Sequence, residues 1–413
     1  MGQWSFNKGE WTEAYVFLRL LGDGRLYGAD ANFQKDEMTY IDIVNIIRDD
    51  VDRYLVFERF MNDQVASVKA TDRDDITFKV VTAPELTEKA EFLYEKIKTA
   101  SNKKAFPVPE IELYLKGLRL SSPKANISKD AAEEYGKKTD IIITSEDSLD
   151  STKKTEGFSI KSHLGSSSTL FNSSSTSGFE YIIEGCDDES MVELNAIGSF
   201  TSFIEEIKKR FTLRFRGSRN DVFDQNIKIV DSQMDKILNC AVLSSCGYYD
   251  KPDSNTTEDI CAVVTKYNPV GVRNPDVFYP AKFKEFLFDA FAGLTASKPW
   301  NGRKLLTGGY IDVDKNGDML YYRAMSDDIF SSYLYHHTYF DRPDRGVSYE
   351  MTKATCEAKL MNRVLSSDEI TNILFSDPVT QKKNLKKGDW GYIYKEEQTG
   401  EYIFAINFQV RFK

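Results

Sequence analysis

Cysteine and histidine are scarce: the 413 residues hold five Cys (Cys186, Cys240, Cys246, Cys261, Cys356) and three His. The cysteines are odd in number, scattered and never paired as CxxC. Neither a disulfide framework nor a zinc site of ordinary spacing is therefore expected, and a reducing cytoplasm is the expected compartment. No stretch approaches the roughly 18 consecutive apolar residues of a membrane-spanning helix. The N-terminal MGQWSFNKGE lacks the basic and apolar regions of a secretory signal, and Phe6 stands where myristoylation asks for Ser or Thr. Walker A, GxSxG and HExxH sequences are missing, so nucleotide hydrolysis, serine hydrolysis and zincin chemistry lose their usual signatures. Gly22-x-Gly24 has Tyr27 in place of a third glycine and follows a helical pattern, which removes a dinucleotide site. Positive charge is also short: 54 basic against 64 acidic residues give a net charge of -10. That excludes a small polybasic nucleic-acid binder but says nothing of how charge is distributed over a large surface.

What is present is core material, with 41% apolar and 13% aromatic residues. The length predicts about two to three domains, with a boundary near the acidic turn Gly185–Glu193, giving residues 1–190 and 191–413. Gly9–Leu21 reads as a helix stopped by Gly22-Asp23-Gly24, with Thr12 and Arg19 on its polar side and Ala14, Phe17 and Leu21 buried. Glu10 and Glu13 fall toward that buried side, either as helix-start carboxylates or as groups facing a site. Lys137–Ile143 and Glu156–Ser162 read as two strands joined by a polar turn, a β-hairpin. The serine-rich segments Ser166–Ser168 and Ser173–Ser177 are not a linker, because Leu164, Leu170, Phe171 and Phe179 are interleaved with them. Asn195–Lys209 reads as one helix, running into Lys208–Arg219, which holds six basic residues and no acidic one. Lys208, Arg214 and Arg216, with Phe211 and Phe215 between them, form either a DNA-facing stripe or a solvated helix end and strand. Asp312-x-Asp314-x-Asn316-Gly317 copies half an EF-hand loop, but Arg323 occupies its twelfth position and the flanks read as strands, so a tight hairpin turn is expected.

Chemistry concentrates on the hairpin. Side chains alternate along a strand, so Ser159 and Lys161 share one face while Ile160 points to the other. Asp140, on the neighbouring strand, reaches the same edge. An Asp followed on the next strand by acidic-x-Lys is the layout of PD-(D/E)XK nucleases: carboxylates hold a hard cation against a phosphate, and the lysine orients and helps deprotonate water. Alone, the triplet is also compatible with a surface hairpin bearing one charged pair.

Longer stretches carry more. GFSIKSHLGSSSTLFNSSSTSGFEY (157–181) and NKGEWTEAYVFLRLLGDGRLYGAD (7–30) resemble the corresponding segments of the HpaII family of type II restriction endonucleases. The resemblance continues through Trp300-Asn301-Gly302, TGGYIDV, HHTYFDRPDRGVSY and INFQVRF, and is weakest over Leu213–Asp276. It implies an α+β restriction-endonuclease-like core, a mixed β-sheet flanked by helices, with a larger mixed α/β C-terminal part contributing recognition. It further implies Mg2+-dependent hydrolysis of double-stranded DNA at a short palindromic, CCGG-like target, and a cognate DNA methyltransferase in the same system. Asp140 is the implied metal ligand, Lys161 the catalytic lysine and Glu13 the helix carboxylate completing the site. Ser159 departs from the nuclease pattern and brings no charge to a metal. Glu13, or Glu10 as second choice, supplies the missing carboxylate, with the Ile160 backbone carbonyl as a further oxygen. Glu156, on the opposite strand face from Lys161, is a poorer substitute. Expected DNA contacts are Thr169 and Asn172 beside the catalytic strand, and His336, His337, Arg342 and Arg345, where Arg342-Pro343-Asp344-Arg345 departs from the family's serine-rich stretch. A non-catalytic DNA-binding protein on a degenerate nuclease fold is the alternative, and its motive is Ser159. Either way a net charge of -10 demands that positive charge be gathered in places: Lys208–Arg219, and the C-terminal part with Arg342, Arg345 and Lys382–Lys387.

Overall fold

The computed structural model describes residues 4–101, 104–149, 151–165, 169–172, 176–197, 199–250, 252–302, 307–323, 327–341 and 391–413. Among them are eleven helices and sixteen strands, a mixed α and β architecture. The chain forms two compact units, residues 1–168 with 304–333 and residues 169–303 with 334–413.

The first unit begins with helix α1 (Lys8–Asp23). Asn7 accepts from the Glu10 N–H while the Glu10 carboxylate accepts from the Asn7 N–H, a reciprocal cap, and Gly24 ends the helix at φ 75°. The expected polar side does not exist at Thr12, which is fully buried: its hydroxyl donates to the Lys8 carbonyl at 2.8 Å and bonds the Ser162 hydroxyl at 3.0 Å. Its own turn and Ser162 satisfy the hydroxyl, so a threonine serves inside the core.

Around α1 lie β1 (Arg25–Ala29), β2 (Lys35–Asp50), β3 (Arg53–Asn62), β4 (Val65–Asp72), β5 (Thr77–Thr82), α2 (Ala83–Thr99), α3 (Pro109–Gly117), α4 (Lys129–Tyr135), β6 (Ile141–Asp147) and β7 (Lys153–Ser162). From the later chain come β11 (Gly309–Val313) and β12 (Met319–Arg323). The strands order as β1-β12-β11-β7-β6-β2-β3-β4-β5, and a further β1–β2 pairing closes six of them into a circuit. β6 and β7 form the expected antiparallel hairpin, with Ile141 opposite Phe158, while β11 lies parallel to β7 with Asp312 opposite Lys161. Phe158, Ile160, Ile311 and Val313 join the apolar cluster that includes Trp11, Val16 and Leu20 of α1. Alternation therefore turns Ser159, Lys161 and Asp312 to the other face. The half EF-hand is a hairpin turn, closed by Asp314 N–H to the Asp318 carbonyl at 3.0 Å and by Gly317 at φ 84°.

The second unit holds β8 (Thr169–Phe171), β9 (Gly178–Glu184), α5 (Asp188–Ala196), α6 (Phe200–Arg210), β10 (Thr212–Ser218), α7 (Asp221–Val230), α8 (Met234–Ser245), α9 (Thr257–Tyr267) and α10 (Pro275–Phe291). Its last strands are β13 (Thr338–Asp341), β14 (Ile393–Lys395), β15 (Tyr402–Asn407) and β16 (Gln409–Phe412); helix α11 (Asp327–His337), whose residues 327–333 count with the first unit, precedes them. Two sheets result, β10-β9-β15-β14 and β13-β16-β8. The acidic turn near Gly185 lies within this unit, between β9 and α5. The single helix expected at Asn195–Lys209 is two, because the Ile197 backbone is extended and Ser199 caps a new helix by accepting from the Ser202 N–H. Leu170, Phe171 and Phe179, interleaved with the serines, are buried, and Phe171, Phe179 and Phe223 pack around Phe408.

Candidate active site

Asp140 stands at the threshold of β6, its N–H donating to the Phe158 carbonyl at 2.8 Å, so the hairpin ladder holds its backbone. Its carboxylate is held as well. Oδ2 accepts from the Ser159 hydroxyl at 3.0 Å and from the Ile160 N–H at 2.7 Å. Ser159 thus buttresses Asp140. Burial pushes the Asp140 carboxyl above the usual carboxylate range; Lys161, these two donors and Lys138 pull against it.

Glu13 completes a pair of carboxyls. Burial, and then the Asp140 charge, push it up to about 8, against the Ala125 N–H, Arg48 and Lys124. The Ala125 N–H reaches Oε2 at 3.2 Å. Arg48 is buried and paired with Asp50 at 2.9 Å, so its charge is fixed at this depth. Glu10 has other partners: besides capping α1, it accepts from Lys124 Nζ at 2.6 Å. Glu156 faces Arg323 at 3.7 Å, beside Asp147.

Two residues that the motif does not name belong to this neighbourhood. Lys138 is half-buried and pushed down to about 8, by burial and then by Lys161. Its signal was the Lys137-Lys138 pair just ahead of Asp140. Lys124 couples electrostatically to Glu10, Glu13 and Asp140, and no local pattern marks it.

The donor set is that of a hard cation held sparingly. Both hydrogen bonds to Asp140 fall on Oδ2 and the one to Glu13 on Oε2, which leaves one oxygen of each for a metal. Among the described residues no group of three or more His, Cys, Asp or Glu side chains forms a cage. A cation here would rest on two carboxylates and complete its shell with water and substrate oxygens, the habit of magnesium. Such an ion would displace the protons that burial and mutual repulsion favour on the two carboxyls.

The expected DNA contacts are dispersed. Arg214 pairs with Glu184 and Glu401, each at 2.8 Å, and Arg216 with Glu396 at 2.8 Å and Glu180 at 3.5 Å. The charges of Arg214 and Arg216 are answered by carboxylates of β9 and of the turn between β14 and β15. Lys208 donates to the Tyr249 carbonyl at 3.4 Å, His336 lies 3.1 Å from Glu258, and the His337 carbonyl accepts from the Lys413 N–H. Thr169 is half-buried in β8, opposite Arg411 of β16, and Asn172 is exposed just after it. Arg342, Arg345 and Lys382–Lys387 lie outside the described residues.

Compared with known proteins, residues 7–348 match the description of the HpaII restriction endonuclease. The match spans Glu13, Asp140, Ser159 and Lys161, and its length defines the class: this is a type II restriction endonuclease, an enzyme that cuts DNA at a defined site. The chain belongs to the HpaII restriction endonuclease family. One relative is the type II restriction enzyme HpaII of Haemophilus parainfluenzae, 31% identical over 343 residues, which are 82% of this chain and 91% of that enzyme. No solved structure matches the chain. No helix among the described residues is long and apolar enough to cross a membrane.

Proposed function

We propose that this enzyme hydrolyses phosphodiester bonds of double-stranded DNA at a short palindromic, CCGG-like sequence, with Mg2+ as its metal and a restriction-endonuclease-like core as its scaffold. The observation that carries the reading is the anchored Asp140 carboxyl beside Glu13, with Lys161 acting on it electrostatically. Asp140 and Glu13 would hold the ion, with the Ile160 carbonyl as a further oxygen. When bound, magnesium supplies Lewis acidity at the scissile phosphate. The rest is the work of the chain. Ser159 and the Ile160 N–H keep Asp140 in one orientation, so its free oxygen is presented without rotamer search. Lys161 orients the attacking water and favours its deprotonation. Lys138 and Lys124 add positive charge where phosphate enters.

Base readout falls to donors that match guanine edges. Arg342 and Arg345 are assigned to it, with His337, Thr169 and Asn172 as backbone or base contacts. A methyltransferase of the same specificity would protect the host's own DNA in the cytoplasm. The test is a digest of plasmid DNA with magnesium, set against an EDTA control, with every fragment end sequenced. Discrete ends at one short palindrome are expected; intact plasmid, or ends without sequence preference, would overturn the reading.

A further inference from the structure

Beyond Lys161 the catalytic strand continues. The His163 N–H donates to the Val313 carbonyl at 2.8 Å, extending the parallel ladder by one step. Asp312, opposite Lys161 on β11, is fully buried. His163 Nε2 bonds its Oδ2 at 3.2 Å, the oxygen that also accepts from the Tyr333 hydroxyl, and lies 2.9 Å from its Oδ1. The rings of Tyr310, Tyr322 and Tyr333 stack around this group. A carboxylate without solvent needs donors or a cation, and the His163 ring and the Tyr333 hydroxyl both serve Oδ2 of Asp312.

His163 also lines a cavity of about 530 Å³, together with Lys8, Lys98 and Lys315. Lys8 is buried, its ammonium donating to the Leu164 carbonyl at 3.0 Å and the Lys98 carbonyl at 3.4 Å, which ties the start of α1 to the end of β7. Lys98 and Lys315 are exposed at the rim. Among the described residues that line this cavity there is no Asp or Glu. In a chain with a net charge of -10, three lysines around one hollow, beside a histidine that Asp312 holds from behind, are an anion's surroundings.

We propose that this cavity is a phosphate subsite that receives a backbone phosphate of the bound DNA, close along the strand to the scissile one. The proposal rests on the nuclease reading above and deepens it. Lys161 and His163 are two residues apart on extended backbone, roughly 7 Å, and phosphates of one DNA strand advance by about 3.4 Å per nucleotide. The subsite thus serves a phosphate within roughly two nucleotides of the cut. Lys98 and Lys315 meet the phosphate, Lys8 sets the floor, and Asp312 is a positioning residue that acts through His163.

The test uses the full chain carrying Lys98→Ala and Lys315→Ala, two exposed positions, with Lys315→Ala alone as a second variant. Duplex binding is measured in EDTA from low to high salt, so that catalysis does not enter. Each phosphate contact contributes about 0.9 to the slope of log K against log salt. The double variant is expected to lose one to two from that slope and to weaken equally on every sequence. A single neutral methylphosphonate stepped along the duplex should weaken wild type at one position and leave the double variant indifferent there. An unchanged slope in both variants overturns the subsite while leaving the nuclease reading intact. A wild-type protein that binds no duplex overturns both. Inorganic phosphate that raises the thermal midpoint of wild type, together with an unchanged DNA slope in the double variant, would mean a free-anion site and overturn the proposal.

Discussion

Replacing Glu13 by Gln keeps the side chain's size and removes its titration. In the metal-free protein Glu13 is raised from 4.5 to about 8, by burial first and the Asp140 charge second. Across that window the folded chain holds a proton that the unfolded chain has released. Stability therefore falls as pH rises from 4.5 to 8, by up to about 1.4 kcal/mol per pH unit. The ceiling over the window is on the order of 4 to 5 kcal/mol, and solvent reaching Glu13 brings the expected total to about 2 to 3. Asp140 is raised in the same sense, so the two share the proton, and removing the Glu13 charge relaxes both. Urea unfolding in EDTA at pH 5, 6, 7 and 8 reads this directly: the Gln variant should gain on wild type with each step. Magnesium reverses the comparison. An ion that must displace a proton binds wild type up to tenfold more tightly for each unit that pH rises toward 8, and the Gln variant should lose that dependence and require more magnesium to cut. Parallel stability curves in EDTA, with the same magnesium requirement in both proteins, would refute the placement of Glu13 in the site.

Lys161→Ala should lower cleavage by roughly 10² to 10⁴ while duplex binding in EDTA stays measurable; full activity in the plasmid digest would remove Lys161 from the chemistry. Ser159→Ala deletes the 3.0 Å hydrogen bond to Asp140, which should cost about 1 kcal/mol in urea unfolding and leave Asp140 still harder to ionise. Gly157→Ala places a β-carbon 2.6 Å from the Tyr135 carbonyl oxygen and against the Thr139 hydroxyl, so the urea midpoint should fall by the equivalent of roughly 1 to 3 kcal/mol.

The local parts of the site were legible because their signals are local. Period-two alternation placed Lys161 and Ser159 on one face, and the polar turn predicted the hairpin that sets Asp140 beside them. Gly22-Asp23-Gly24 marked the end of α1 in the sequence, while the Asn7–Glu10 cap at its start emerged only from the structure. Thr12 was misread because the wheel assigns a face by polarity, whereas a hydroxyl bonded to Lys8 and Ser162 is as buried as a leucine. Ser159 read as a lost ligand, and only the neighbouring strand reveals it as a donor to Asp140. Arg48, Lys124 and Asp312 reach this region through tertiary pairing, and no spacing rule connects residues so far apart in the chain. The break at Ile197 was hidden because helical periodicity resumes in phase with apolar residues at Phe200 and Phe203.

The charge balance shows why long-range pairing matters for recognition. Read along the chain, Lys208–Arg219 is the longest basic run that the sequence offers, and a DNA surface would be placed there. In the folded unit, Arg214 and Arg216 meet Glu180, Glu184, Glu396 and Glu401 from neighbouring strands and turns. A phosphate approaching them must displace a carboxylate that is already there. At the end of β7 the reverse holds. Lys8, Lys98 and Lys315 come from three separate segments, none of them basic enough in sequence to draw notice, and meet around a hollow that no acid among the described residues lines. Screening at physiological salt limits the field of exposed charges to about 8 Å, so the local balance at each surface decides where DNA binds, and the net charge of -10 does not. A nuclease would gain from such an arrangement, because a net-negative chain with lysines gathered beside its carboxylates would bind DNA poorly where those carboxylates cannot work and more firmly where they can.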